Sequence, residues 1–318
     1  MSLRRFIVKR ILATIPILFG VSVVTFALVH LTPGDPVSQM VALNPDVSQA
    51  DEEAIRRQYG LHRPVWEQYV DWLAGVLQGD FGQVVGSNRD VADIVWARLP
   101  ETIALGLFGW LFALLIAIPT GIYAAVNKDQ LGDDVSRVVA LSGISIPNFW
   151  LGLMLILIFA VVLGAWPVLA PREPLYHPDM LWYLILPGLT IGTASSAIMM
   201  RIMRSSMAEE LNKEYVTAAR AKGLPERTIV LKHVLRNSLI SVATVAAFLT
   251  ATIVSGSVVV EVVFSWPGLG REFIQAIHAR QIDLILAITL FTGVAIIVAN
   301  LLADIAYAIL DPRIRDEY

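Results

Sequence analysis

The stretch EYVTAARAKGLPERTIVLKHVLRNSL, Glu214 to Leu239, is polar and charged, and the chain on either side of it reads as membrane. Good helix formers run from Met207 to Lys222, Gly223 supplies a stop, and Pro225 with Glu226 suits the first turn of a second helix. The spacing therefore predicts a helix–turn–helix hairpin between two spans. Ala218, Ala219 and Ala221 form a smooth surface just before the turn, with Arg220 and Lys222 as charged handles around it. In the second helix Val230, Leu231, Val234 and Leu235 share one side, while Lys232, His233, Arg236 and Asn237 take the other, so this helix rests on the ends of the spans. A protruding helix of small residues fits a partner's groove. The alternative is a solvated loop whose positive charge only records membrane orientation.

Outward from the hairpin, apolar residues make up 56% of the 318 and charged ones only 16%, against roughly 25% charged in an average soluble domain. Six stretches are long enough for the roughly 20 residues of helix that cross a bilayer: Ile11–Val29, Thr102–Val126, Val138–Ala165, Met180–Met200, Leu239–Phe264 and Leu284–Leu310. The first follows Arg4, Arg5, Lys9 and Arg10, and its apolar run is too long for a typical cleaved leader, so it reads as a retained first span. Arg201, Arg204, Lys213, Arg220, Lys222, Arg227, Lys232 and Arg236 all fall between the fourth and fifth spans, whereas the loop after the third span has only Arg172 and the loop after the fifth only Arg271 and Arg280. The positive-inside rule then puts the N-terminus, the turn Asn127–Arg137, the loop 201–237 and the tail 311–318 in the cytoplasm. The fold class is an all-α membrane protein of six transmembrane helices. Its parts are an N-terminus with the first span (1–30), an extracytoplasmic helical segment (31–99) and a five-span core (100–310). A net charge of −3 gives no case for nucleic acid, and the absence of cysteine excludes disulfides and thiolate chemistry.

The segment 31–99 has its own helix signals. Ser48 precedes Asp51 in capping-box style with Gly60 as a stop, and a second helix opens at Pro64 and ends at Gly79. Trp66, Tyr69, Leu73 and Val76 share a face of that second helix. This face is either an aromatic surface at the membrane boundary or core, or a landing surface for an external partner.

Transport against a gradient needs an energy source. None of the lysines, Lys9, Lys128, Lys213, Lys222 and Lys232, sits in the G-x-x-x-x-G-K-[ST] frame of a phosphate-binding loop. Ion coupling predicts ionisable residues deep in the spans. Asp304 is the clearest, and His30 and Glu261 stand near span ends. Asp304 is either a bundle-facing residue bonded to a neighbouring helix or a proton or ion relay. No His, Asp or Glu cluster has metal-ligand spacing. A conduit without its own motor takes work from another protein, and the hairpin is the place to receive it.

The motifs carry a resemblance. Thr217-Ala218-Ala219-Arg220-Ala221-Lys222-Gly223 is similar to the Glu-Ala-Ala-x3-Gly signature of the inner-membrane permease subunits of binding-protein-dependent ABC importers, with Thr217 in place of the Glu. In order along the chain come LTPGDP (Leu31–Pro36), GDFG (Gly79–Gly82), RLPET (Arg98–Thr102), SIPNFWLG (Ser145–Gly152), VVVEVVFSWPGLG (Val258–Gly270) and LDPRIR (Leu310–Arg315). Together they resemble the dipeptide/oligopeptide branch, which includes nickel and glutathione permeases. Ser241 stands where many relatives have proline, which implies a less kinked entry to the fifth span.

The resemblance implies a type I importer permease fold. It implies that Glu214, Tyr215, Thr217, Ala218, Ala219, Arg220, Ala221, Lys222 and Gly223 form a coupling helix seated in an ATPase subunit. The partners implied are a second homologous permease, two ABC ATPases and an extracytoplasmic solute-binding protein. ATP and Mg would sit on the ATPases, with no cofactor on this chain, which would not itself be an enzyme. Glu261 and Trp266 are candidates for an outer gate, Trp266 otherwise shaping a rigid turn. Phe149 and Trp150 are candidates to line the pathway, or else to pack within the bundle. A self-contained secondary transporter using Asp304, or a membrane scaffold that moves nothing, stand as the contrasting readings.

Overall fold

The computed structural model describes residues 3–31, 37, 53, 54, 56, 57, 60–87, 89–167, 177 and 179–310, with side chains described outside 3–7, 9, 10, 251–256, 303, 304 and 306–310. The elements are α1 (Leu3–Leu31), α2 (Val65–Gln78), α3 (Val91–Val126), α4 (Leu131–Ser145), α5 (Asn148–Leu155, continuing as a π-helical stretch Ile156–Val162), α6 (Met180–Glu210), α7 (Glu214–Ala221), α8 (Leu235–Val263), α9 (Leu269–His278) and α10 (Ile282–Leu310). Among the described residues the only β pairing is the isolated bridge Gln83–Asp90. Among the described residues five helices are long and apolar enough to cross a membrane: Ile11–Leu31, Val91–Val126, Met180–Glu210, Glu226–Thr250 and Ile282–Leu302.

The stretch expected as a continuous third span is instead broken. Leu131–Ser145 and Asn148–Val162 meet at 104°, and they make a sixth span only if the bent pair counts as one. Pro147 has no N–H to continue the helix and biases the residue before it out of the α region. Ile146 is accordingly extended, at ψ 122°.

The chain forms two compact units, one built on Thr102–Trp266 and the other joining Val8–Glu101 to Pro267–Ile297. In the first, α3 presents a stripe of small residues at every fourth position, Gly109, Ala113, Ala117, Gly121 and Ala125, all buried. Residues four apart stack on one helix face, so the stripe is a flat seam along which another backbone can come close. That backbone is α6. A Cβ added at Gly192 would lie 2.7 Å from the Gly109 carbonyl oxygen, and one at Gly121 2.6 Å from Met203 Cβ. Met199, Met203 and Met207, also four apart and fully buried, fill the space beside the seam together with Val216, Ile229, Val234 and Val242. Unbranched methionine adapts to such irregular gaps. Towards the other end, Leu105, Met180, Leu184, Val260, Phe264 and Trp266 form a second cluster.

In the other unit α2 docks on α1. Phe26 stacks on His30 (centroids 4.1 Å apart) and meets Tyr69 edge-on at 5.2 Å. Tyr69 shares a 3.0 Å hydrogen bond with Ser22, and His30 Nε2 lies 3.2 Å from Gln68 Oε1. The predicted aromatic face of α2 is thus turned by about one residue. Trp72 joins Tyr69 against Phe26, and Trp66 is exposed. Val91, Val95, Leu269, Ala276, Leu284 and Ala287 make the core of this unit. The expected helix start at Ser48, the Leu310–Arg315 motif apart from the Leu310 backbone, and the side chain of Asp304 lie outside the described residues.

Candidate coupling site

The polar interruption between α6 and α8 folds as a hairpin, with two differences from expectation. Met207 belongs to α6, which runs to Glu210, and Leu211–Lys213 form a turn before α7. The second arm is no separate helix: Glu226–Thr228 and the π-helical stretch Ile229–Val234 lead without a break into α8. A π turn brings residues five apart onto one face, where an α turn brings four. Ile229 and Val234 are accordingly both buried beside Val230, while Leu231, expected inward, is exposed. Ser241 sits within the unbroken α8 and meets Ser206 of α6 through their hydroxyls at 3.3 Å.

The tip of the hairpin is a Schellman motif. Ala221 is the last helical residue and Lys222 the C-cap, Gly223 has φ +76°, the Gly223 N–H donates to the Arg220 carbonyl (2.9 Å) and the Leu224 N–H donates to the Ala219 carbonyl (3.3 Å). Only glycine adopts that φ without a Cβ penalty. Arg220 does not stand free as a handle. It bridges the turn to Glu226 through Nε (3.1 Å) and Nη2 (2.6 Å), and the carboxylate holds its guanidinium further above its ordinary pKa.

The inner side of α7 is anchored. Val216 is fully buried, and Tyr215 and Ala219 pack against the same cluster. Ala219 therefore belongs to the core contact, and the outward surface consists of Thr217, Ala218, Ala221, Lys222, Gly223 and Leu224, with Glu214 exposed at the helix start. At the base, the Glu210 carboxylate collects Lys213 Nζ, the Tyr215 hydroxyl (2.7 Å) and Asn237 Nδ2 (3.3 Å). Burial first, and the Glu210 carboxylate next, raise the Tyr215 phenol above its ordinary pKa, so it stays protonated as the donor. This one carboxylate ties the end of α6, the start of α7 and the start of α8 together.

Further along α6, a second polar lock reaches α4. Asp133 is completely buried and accepts from Arg204 Nε (2.5 Å) and Nη2 (2.6 Å), from Arg137 Nη2 (3.0 Å) and from the Asp129 N–H (3.1 Å). The paired Arg204 contacts form a fork-to-fork bridge, the strongest geometry an ion pair has.

The remaining candidates lie away from the hairpin. Glu261, near the end of α8, is fully buried and accepts from the Thr102 hydroxyl at 2.9 Å. Trp266 is also fully buried, its backbone N–H donating to the Glu261 carbonyl at 2.8 Å. Its side chain is a core element of the cluster with Leu105 and Met180. Phe149 and Trp150 open α5 and are 51% and 46% exposed. Gly152, one turn on, faces Phe264, where a Cβ would come within 3.0 Å of the ring. Glu210 and Asp133 were not among the expected residues, Arg204 counted only as an orienting charge, and Asn237 only as part of the polar side of the second arm. Asn237 stood inside a motif already quoted, and Asp133 has Arg137 four residues on, the spacing of a helical ion pair.

The chain is similar to known proteins over nearly its whole length. Residues 117–316 match the family described as "Binding-protein-dependent transport system inner membrane component", and residues 3–106 match its N-terminal companion. The chain is 40% identical over 313 residues to the oligopeptide transport system permease protein AppB of Bacillus subtilis (strain 168), covering 97% of this chain and 98% of that one. It is 39% identical over 310 residues to the glutathione transport system permease protein GsiC of Escherichia coli (strain K12), covering 98% of each. Among solved structures, a chain of the MetNI methionine ABC transporter in inward-facing conformations superposes with a TM-score of 0.53 at 16% identity, over 69% of this chain and 96% of that one.

Proposed function

The chain belongs to the family of inner-membrane components of binding-protein-dependent transport systems, and from that premise we propose that it is one permease of an ATP-driven importer for di- and oligopeptides. It forms half of the translocation pathway beside a second, homologous permease. Six spans cross the inner membrane, the bent α4–α5 pair counting as one, with both termini and the hairpin in the cytoplasm and the segment 31–99 outside. An extracytoplasmic binding protein delivers the solute. A pair of separate ATPase subunits closes on ATP and pushes on α7.

The observation that carries this reading is the two-sidedness of α7. Its inner face is fixed by Val216, Tyr215 and Ala219, and its outer face is a bare surface of Thr217, Ala218, Ala221 and Gly223. Small side chains let a partner's backbone approach, and helix-in-groove contact transmits movement. Peptide as solute is supported by the oligopeptide permease at 40% identity. Glutathione, itself a tripeptide, is the second reading, supported by the 39% relative.

The test is reconstitution in proteoliposomes with the cognate second permease, ATPases and binding protein. Uptake of labelled peptides should require ATP and every subunit, and Ala218→Glu should abolish uptake while leaving membrane insertion intact. Gradient-driven uptake by this chain alone, or normal uptake by Ala218→Glu, would refute the reading. Competition between oligopeptides and glutathione for the binding protein distinguishes the two solutes.

A further inference from the structure

We propose that the Asp133–Arg204 ion pair is a positioning lock that makes α4 move as one piece with α6, so that a push on α7 is released as bending at Ile146–Pro147 and swings α5. The proposal rests on the reading of α7 as the coupling helix.

Three observations carry it. The apolar contact between α4 and α6 is smooth: a Cβ at Gly143 would meet Thr193 Cγ2 at 3.4 Å and Ala197 Cβ at 3.5 Å, ordinary van der Waals separations. Contacts of this kind are non-directional and let helices slide in small steps. The ion pair is the opposite. It fixes both distance and angle through two parallel bonds to a fully buried carboxylate, with Arg137 and the Asp129 N–H occupying further acceptor positions. Sliding would break both of these charge-assisted bonds together, which is unfavourable. Second, Arg204 lies six residues before Glu210, about 9 Å along α6, and Glu210 holds both α7 and the start of α8. The lock and the hairpin anchor therefore sit within two turns of one another. Third, α4 ends in a break of the helical hydrogen-bond ladder. The Ile146 N–H makes the last bond of α4, to Ser142, and Pro147 has no N–H to give. Beyond it α5 departs at 104° carrying the exposed Phe149 and Trp150.

Spin labels on the full importer in nanodiscs test this. One pair at exposed Val138 and Ser205 reports α4 against α6, and a second at exposed Leu153 and Ser205 reports α5 against α6. Between the nucleotide-free and ATP-trapped states the first distance should stay constant and the second should change. Asp133→Asn should broaden the first distribution and lower the peptide moved per ATP hydrolysed by roughly tenfold. Arg204→Lys, which keeps the charge but loses the fork, should fall between. A wild-type α4–α6 distance that shifts with nucleotide overturns the proposal, and so does Asp133→Asn with wild-type stoichiometry. If a variant fails to assemble, the wild-type distances alone decide. Loss of coupling in Ala218→Glu but not in Asp133→Asn would sink the lock and leave the function of α7 standing. Normal coupling in Ala218→Glu would sink the function itself.

Discussion

Replacing Gly223 isolates the contribution of one backbone angle to the hairpin. The residue sits at φ +76°, and a Cβ added there would find no atom within 4 Å. Steric cost is therefore absent, and Gly223→Ala should cost only the left-handed penalty of an L-residue, about 1–2 kcal/mol. Gly223→Asn should cost less, because asparagine visits this region more readily. Gly223→Pro should cost most, since the ring fixes φ near −65° and removes the N–H that now bonds the Arg220 carbonyl. A penalty of about 1–2 kcal/mol is a factor of roughly 5–30 in the population of the closed tip. Hydrogen exchange followed by mass spectrometry over residues 214–228 reads this directly. Protection should fall by that factor in the alanine variant, by less in the asparagine variant, and be largely lost in the proline variant. Transport per ATP should fall in the same order. Equal protection in all four proteins, or an asparagine variant as unprotected as the proline one, would show that the left-handed turn does not hold the tip.

Ala218→Trp, on the outward face, should leave the melting of the isolated chain unchanged but prevent co-purification of the ATPase, whereas Ala219→Trp should lower the melting temperature itself, because Ala219 packs against the core. Arg220→Ala should lower stability by less than about 1 kcal/mol, and by less still at high salt, since both members of the Arg220–Glu226 pair are about half exposed. Thermal melts at two salt concentrations measure it. Gly121→Val should destabilise by about 1–3 kcal/mol or more, because its Cβ would lie 2.6 Å from Met203 Cβ and 3.1 Å from the Met200 carbonyl oxygen. Gly20→Ala, with nothing within 4 Å, is the control and should melt like the parent.

What was legible in the sequence was what periodicity and turn chemistry encode. Apolar runs marked the long helices, and Gly223 with Pro225 marked the turn, which the structure closes as a Schellman motif. The helix bounds inside the hairpin were not legible, because helix formers continue on both sides of Leu211–Lys213, where the chain turns through short local bonds and Glu210 reaches forward to Tyr215. The inward position of Ala219 follows from which side of α7 Val216 buries, and alanines on both sides look alike in a string. The seam Gly109, Ala113, Ala117, Gly121, Ala125 was hidden for a related reason. Small residues count as apolar in a span, and their fourfold spacing is visible only when glycine and alanine are separated from leucine and valine. Pro147 was expected inside a continuous third span, because the apolar run continues past it, and the 104° bend there was not legible.

One feature of α3 reaches beyond the hairpin. From Thr102 to Val126, within the larger unit, this helix extends about 36 Å at 1.5 Å per residue, while the hydrocarbon layer is about 30 Å thick. That part alone is long enough to cross with room for some tilt. A bilayer a few ångströms thinner or thicker is then met by a change of inclination, with the crossing itself preserved.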